Sequence, residues 1–229
     1  MSRTSLKKVL ILASILAVPG FLYFLLQDKG KNRYRPLKIF GPKEVAATFH
    51  YKRGKKIPDT IYHQVAPFHL VDQSAAAVAY PEDTTQIAIF NFFYTSCASC
   101  ARANESMASV ARDYLKNKRV HFYSVSVDPL KDQPEVLSVY SKQYGIPMSK
   151  WTFLTGDRGT IYTWAKREFL VDVYRADSSA VIHRPLLILV DTKRRIRGFY
   201  EATSKEQVDK LRDEIKVLIA EELRQVADL

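Results

Sequence analysis

The chain has 229 residues, 47% of them hydrophobic, and a formal net charge of +11. That is room for one globular domain with a sizeable core plus an appendage. The charge is not spread evenly: residues 27–60 carry ten basic and three acidic side chains, whereas residues 61–229 carry 22 basic and 21 acidic. A nearly neutral globular part without a nucleic-acid motif argues against a nucleic-acid binder.

Val9 to Leu26 is a stretch of eighteen residues without a charge, preceded by Arg3, Lys7 and Lys8. At about 1.5 Å per residue a helix of that length spans roughly 27 Å, close to a hydrocarbon core. The bulky run Phe21-Leu22-Tyr23-Phe24-Leu25-Leu26 lacks the small residues of a signal-peptidase site. The expectation is therefore a single transmembrane anchor over 9–26 after a cytoplasmic stub over 1–8. A basic juxtamembrane tether over 27–60 would follow, with membrane lipid as a partner for its charge. Basic residues flank both ends of the apolar run, so charge bias does not orient it.

Within the tether, Ala46 to Tyr51 has the character of a short strand. Ordered structure is expected from residue 61 onward. Phe68-His69-Leu70-Val71 opens it, Pro81-Glu82-Asp83 reads as a turn, and Ile87 to Phe93 is a continuous apolar run suited to a central strand. Ala103 to Leu115 places Met107, Val110, Ala111, Tyr114 and Leu115 at helical spacing, and Val120 to Val127 returns as a strand. Gln133 to Tyr144 is a second helix with Pro134 in its first turn. Trp151 to Leu154 is a strand and Thr160 to Glu168 a helix; Pro185 to Val190 and Ile196 to Tyr200 are strands joined by a polar turn. The last helix opens at Ser204 with Gln207 three residues on, as in a capping box, and shows the stripe Val208, Leu211, Ile215, Leu218 and Ile219. The order is a βαβ unit, then a hairpin and a helix.

The two cysteines stand as Cys97-Ala98-Ser99-Cys100 between the central strand and the following helix. Tyr94-Thr95-Ser96 is a polar break that puts them at an element boundary, where C-x-x-C supports thiol chemistry. Amide groups and dipole at a helix start favour a thiolate, so Cys97 is the expected attacking sulfur and Cys100 the resolving one. A structural zinc site would need two further ligands from the histidines, since both cysteines are used.

The C-x-x-C after the strand, with Pro185 ahead of a late apolar strand, resembles the thioredoxin-like fold: an α/β architecture with a central mixed sheet flanked by helices. More narrowly, residues from about 61 to 220 resemble the Sco/SenC family of membrane-anchored copper chaperones of cytochrome oxidase. The matching runs are Asn91 to Cys97, Ser124 to Pro129, Asp132 to Leu137, Trp151 to Gly156, and His183 eight residues before Asp191. The resemblance implies copper as cargo, with Cys97, Cys100 and His183 as its ligands, and Pro185 in the place of the fold's cis-proline beside the groove for a client, its isomer left open by the sequence. It implies placement of the globular part outside the cytoplasm, on the periplasmic side. The implied partners are the copper-bearing oxidase subunit or another cysteine-containing client, together with a thiol reductant.

The family separates its cysteines by three residues and this chain by two, the spacing of dithiol oxidoreductases. Two further readings thus stand beside copper-site assembly: general thiol-disulfide exchange, and a non-catalytic assembly factor that binds an oxidase subunit. His50, His63, His69 and His121 match nothing and are expected to be structural or surface residues.

Overall fold

The computed structural model describes residues 7, 13–15, 17–24, 36–176, 180–182 and 184–227. The chain divides into Met1–Pro36 and Leu37–Leu229. In the first unit residues 13–15 and 17–24 are helical. Among the described residues no helix is long and apolar enough to cross a membrane. This corrects the expected transmembrane anchor, and with it the single-pass membrane placement and the outward-facing localisation. Residues 9–12, 16 and 25–26 of that segment lie outside the described residues.

The second unit holds eleven strands and four helices among the described residues. Strands β1 (Lys43–Lys52) and β2 (Lys55–Tyr62) form an antiparallel hairpin, where an irregular tether with one short strand was expected. Its two-residue loop is Arg53-Gly54, both at positive φ (52° and 76°), the backbone that matches the twist of paired strands. At the hairpin base Gly41 has φ 103°, and a Cβ there would lie 2.7 Å from the His63 Cβ, so only glycine fits.

The main sheet has seven strands in the order β11-β10-β5-β6-β7-β3-β4. They are β3 (Phe68–Asp72), β4 (Ala77–Tyr80), β5 (Ile87–Phe93), β6 (Val120–Ser126), β7 (Trp151–Thr155), β10 (Leu186–Val190) and β11 (Ile196–Glu201). The central trio β5, β6 and β7 is parallel, and β3, β4, β10 and β11 add antiparallel pairs. A second short hairpin pairs β8 (Tyr174–Ala176) with β9 (Ala180–Ile182).

Side chains of β5 alternate between two cores. Ile87, Ile89 and Phe93 face one layer, built from helices α1 (Ala98–Asp113), α2 (Pro134–Lys142) and α4 (Lys205–Ala227). Ala88, Phe90 and Phe92 face the other, with Ile161, Trp164 and Ala165 of α3 (Arg158–Arg167). Covering both faces is why β5 reads as an unbroken apolar run. The result is the expected thioredoxin-like mixed sheet flanked by helices. Ser204 caps α4 as expected, its hydroxyl accepting from Gln207 N at 3.4 Å.

Buried His121 on β6 pairs through Nε2 with Thr152 Oγ1 at 2.9 Å. Burial, and secondarily the Lys150 charge, pushes its pKa down from 6.5 to about 4. Between those values the unfolded chain binds a proton that the folded chain refuses. Stability is therefore expected to fall as pH drops from about 6.5 through 4, by roughly 3 kcal/mol. Urea denaturation of wild type and His121→Phe at pH 7 and pH 4.5 measures this. An equally steep acid loss in the variant would assign the effect elsewhere.

Candidate redox and metal site

Strand β5 ends at Phe93, and the chain turns through Tyr94-Thr95-Ser96 into α1. Cys97 is the N-cap of that helix, with extended backbone (φ −95°, ψ 113°), and its sulfur accepts from Cys100 N at 3.1 Å. Sulfur thus takes the place of a capping oxygen at the orphan amides of the first turn. Cys97 and Cys100 are joined as a disulfide, with Cα atoms 5.2 Å apart. Cys97 is 8% exposed and Cys100 not at all. Of the two, Cys97 is thus the less deeply buried.

The elbow is fastened from below by the carboxylate of Asp132, which is buried in the loop between β6 and α2. It accepts from Thr95 N at 3.0 Å, Thr95 Oγ1 at 2.5 Å and Ser126 Oγ at 2.6 Å. Buried carboxylates require such donors. A second buried network lies one turn along α1. Asn104 Oδ1 accepts from Asn91 Nδ2 of β5 at 2.6 Å, and Asn104 Nδ2 donates to the Tyr140 hydroxyl at 3.1 Å. Ser124 Oγ donates to Asn91 Oδ1 at 2.5 Å and accepts from Trp151 Nε1 at 2.8 Å. The Tyr144 hydroxyl donates to that of Tyr140 at 2.9 Å, and burial raises its pKa above the usual phenol range. Every member is neutral, so the network fixes α1 to the strand without placing a charge under Cys100.

Thr95, Asp132, Ser126, Asn91 and Asn104 were not read from the sequence as site residues. Asn91 had a signal: an amide inside an otherwise apolar strand needs a buried partner. Asp132 and Ser126 appeared only within runs that resemble the family.

The antiparallel register of β10 on β5, with Ile188 opposite Phe90 and Val190 opposite Ala88, carries the start of β10 toward the end of β5 where the elbow leaves. Pro185 thus belongs to the same end of the sheet as Cys97, and its carbonyl accepts from Ala202 N at 2.9 Å. The resemblance puts Pro185 in the cis-proline's place but leaves its isomer open; among the described residues the cis peptide bond is Tyr80–Pro81. His183 lies outside the described residues.

The other histidines have ordinary roles or plain exposure. His50 pairs with Asp59 at 2.7 Å, which lowers the Asp59 pKa, and His63 Nε2 contacts the Glu168 carbonyl at 2.7 Å. His69 is exposed and His121 is in the core. Among the described residues no group of three or more His, Cys, Asp or Glu side chains is placed to hold a metal.

The sequence model described as SCO1/SenC matches residues 59–220. The chain is 25% identical over 167 residues to the SCO1 protein homolog of Bacillus subtilis, covering 71% of this chain and 86% of that protein. It resembles the structure of BsSco, described as having a disulfide switch and as a member of the Sco family of cytochrome c oxidase assembly proteins. There the TM-score is 0.61 at 24% identity, covering 67% of this chain and 92% of the other. Arabidopsis thaliana ScoI, solved with copper bound, superimposes with a TM-score of 0.57 at 24% identity over 70% of this chain and 98% of its own. With residues 59–220, well over half of the chain, matched by the family's pattern, and with the same fold around the cysteine elbow, the chain belongs to the SCO1/SenC family.

Proposed function

We propose that this protein supports assembly of the copper site of cytochrome oxidase, acting on the copper-bearing subunit by thiol-disulfide exchange, by copper transfer, or by both. The observation that supports this most is the pair itself: one near-surface and one buried cysteine at the N-cap of α1.

In exchange, the Cys97 thiolate attacks a client disulfide, forming one S–S bond and releasing one client thiolate, which takes a proton from solvent. Cys100 then attacks Cys97, and the second client thiol leaves. Two electrons pass to the client, and Cys97–Cys100 is returned to the dithiol by an external thiol reductant. In transfer, the reduced pair holds copper as cargo, because thiolates favour Cu(I), and His183 adds an imidazole suited to Cu(II). The role of His183 rests on the family resemblance. The two-residue spacing favours the exchange component, since it is the spacing of a cycling dithiol.

Copper titration of the reduced protein, run beside measurement of its dithiol reduction potential, tests the proposal. One copper per chain is expected. His183→Ala should weaken Cu(II) about tenfold or more and Cu(I) less than about threefold, since two thiolates already satisfy the softer ion. Copper binding no tighter than micromolar, in a protein that still reduces disulfides, would remove the transfer component and leave exchange.

A further inference from the structure

We infer that the groove between the α1–β6 loop and the last turns of α4, at the opposite end of α1 from Cys97, binds a single-chain anionic amphiphile, an alkyl carboxylate or alkyl phosphate. The site is separate from the dithiol and stands whether or not exchange is the protein's role. The groove has a volume of about 770 Å³, within the range of small-molecule sites. Its floor is aliphatic: Leu115 and Leu223 are 45% and 47% exposed, and Ile219, one turn before Leu223 on α4, lines the same floor.

The wall is basic, formed by Arg112, Lys116, Lys118 and Arg119. The acidic residue that lines the groove, Asp113, is held by Arg212 at 2.9 Å. Cations in the last turn of a helix are favoured by its dipole and need no ligand, and Arg112, in that turn, donates to the Tyr144 carbonyl at 3.3 Å. Lys116, Lys118 and Arg119 lie past the helix end, and among the described residues none of the three side chains has a carboxylate at ion-pair distance.

Lys150 adds a cation beneath them. It is 5% exposed, and its ammonium donates to the carbonyls of Asn117 at 2.5 Å and Val120 at 2.7 Å. Burial holds its pKa below the ordinary lysine value. An anion in the groove, which Asn117 itself lines, offsets that buried charge together with the repulsion among the like charges of the loop. The loop is already fixed in place: Asn117 N donates to Tyr114 O at 2.9 Å, Asn117 Oδ1 accepts from Arg119 N at 2.9 Å, and Arg119 O accepts from Ile87 N at 2.7 Å. Little ordering entropy is therefore lost on binding. Charge alone would suit any anion, but a bare carboxylate or phosphate makes no use of the aliphatic floor. A head group paired with the cations lays an alkyl chain over Leu115, Ile219 and Leu223, where its methylenes leave water.

The test is calorimetric titration of the full chain with ligands kept below their micelle concentrations: decanoate, decyl phosphate, acetate, inorganic phosphate and the uncharged decyl maltoside. The decyl anions should bind about fiftyfold tighter than acetate and phosphate, the effect of roughly three buried methylenes, and about tenfold tighter than decyl maltoside. Lys116→Glu and Lys118→Glu should each weaken both decyl anions about tenfold and leave decyl maltoside unchanged, whereas Lys118→Arg should bind as the wild type does. Leu223→Ser should reduce the advantage of the decyl anions over the bare ones severalfold. Equal affinity for decanoate and decyl maltoside, bare anions bound as tightly as decyl ones, or binding unchanged by Lys116→Glu, Lys118→Glu and Leu223→Ser alike would overturn the site; the last result would assign uptake to the apolar run over 9–26. Association with vesicles of phosphatidylcholine and phosphatidylglycerol, in a protein that takes up neither monomeric decyl anion, would overturn it as well.

Discussion

Arg197→Ala is expected to destabilise the domain by about 3–5 kcal/mol, the cost of leaving buried partners of a charge unpaired. The Arg197 side chain is 1% exposed and binds Asp191 at 3.0 Å and Glu221 at 2.8 Å. It also donates to the carbonyls of Leu37 at 2.8 Å and Lys38 at 3.2 Å. One guanidinium thus ties together the start of the domain, the β10–β11 turn, β11 itself and α4. Alanine would leave two carbonyls without their guanidinium donor and Glu221 without its cation, though Glu221 keeps Leu37 N at 3.2 Å. Asp191 keeps Arg195 at 2.7 Å, so the loss is partial, and lysine cannot span the same set of acceptors. Thermal unfolding of the full chain should show Tm lowered by about 6–20 °C, at roughly 2–4 °C per kcal/mol for a domain of this size. Lys216→Ala, which removes an ion pair exposed on both sides, should change Tm by no more than about 2 °C. A similar small shift for Arg197→Ala would show that the cluster adds nothing net.

That cluster also marks where the sequence stops being readable. Asp191 to Arg195 looks like a solvated polar turn, and the turn is there, but the charges of Asp191 and Arg197 are buried. Nothing local distinguishes a solvated arginine from one held by residues about 160 positions away. The parallel core was legible because β5, β6 and β7 are buried on both sides, β5 as a nearly continuous apolar run and β6 and β7 as charge-free segments rich in aromatic and β-branched residues. The periodic stripe of α1 was read only from Ala103, because Ala98 to Arg102 contains no periodic large apolar residue; the start signal was the N-cap cysteine itself. Leu115 was assigned to the inner stripe but is 45% exposed, because the helix ends at Asp113 and Tyr114 caps it. The β1–β2 hairpin was hidden by basic residues; its signal was Arg53-Gly54 between two alternating segments. The apolar run over 9–26 misled in the other direction, since hydropathy alone does not make a spanning helix.

The cysteine pair was legible in spacing and in asymmetry, and the asymmetry carries the last expectation. Cys97→Ala should reduce disulfide exchange on the order of a thousandfold, because the N-cap sulfur of the less buried cysteine is gone. Cys100→Ala should behave differently. Cys97 remains at the N-cap, where helix amides favour its thiolate, so attack on a client disulfide proceeds. The mixed disulfide then persists, because the resolving sulfur is absent. In the reduced wild type at pH 7, Cys97 should be alkylated by iodoacetamide faster than Cys100, which is wholly buried. The same geometry makes Asp132 a positioning residue: Asp132→Ala frees Thr95, loosens the elbow, and should narrow the difference in alkylation between the two cysteines. Mass spectrometry of protein mixed with an excess of glutathione disulfide separates the outcomes. A stable adduct on Cys97 in Cys100→Ala, with none on Cys100 in Cys97→Ala, is the expected pattern. Adducts of equal yield on both variants would mean that burial does not set the order of attack, and that the pair acts as two equivalent thiols.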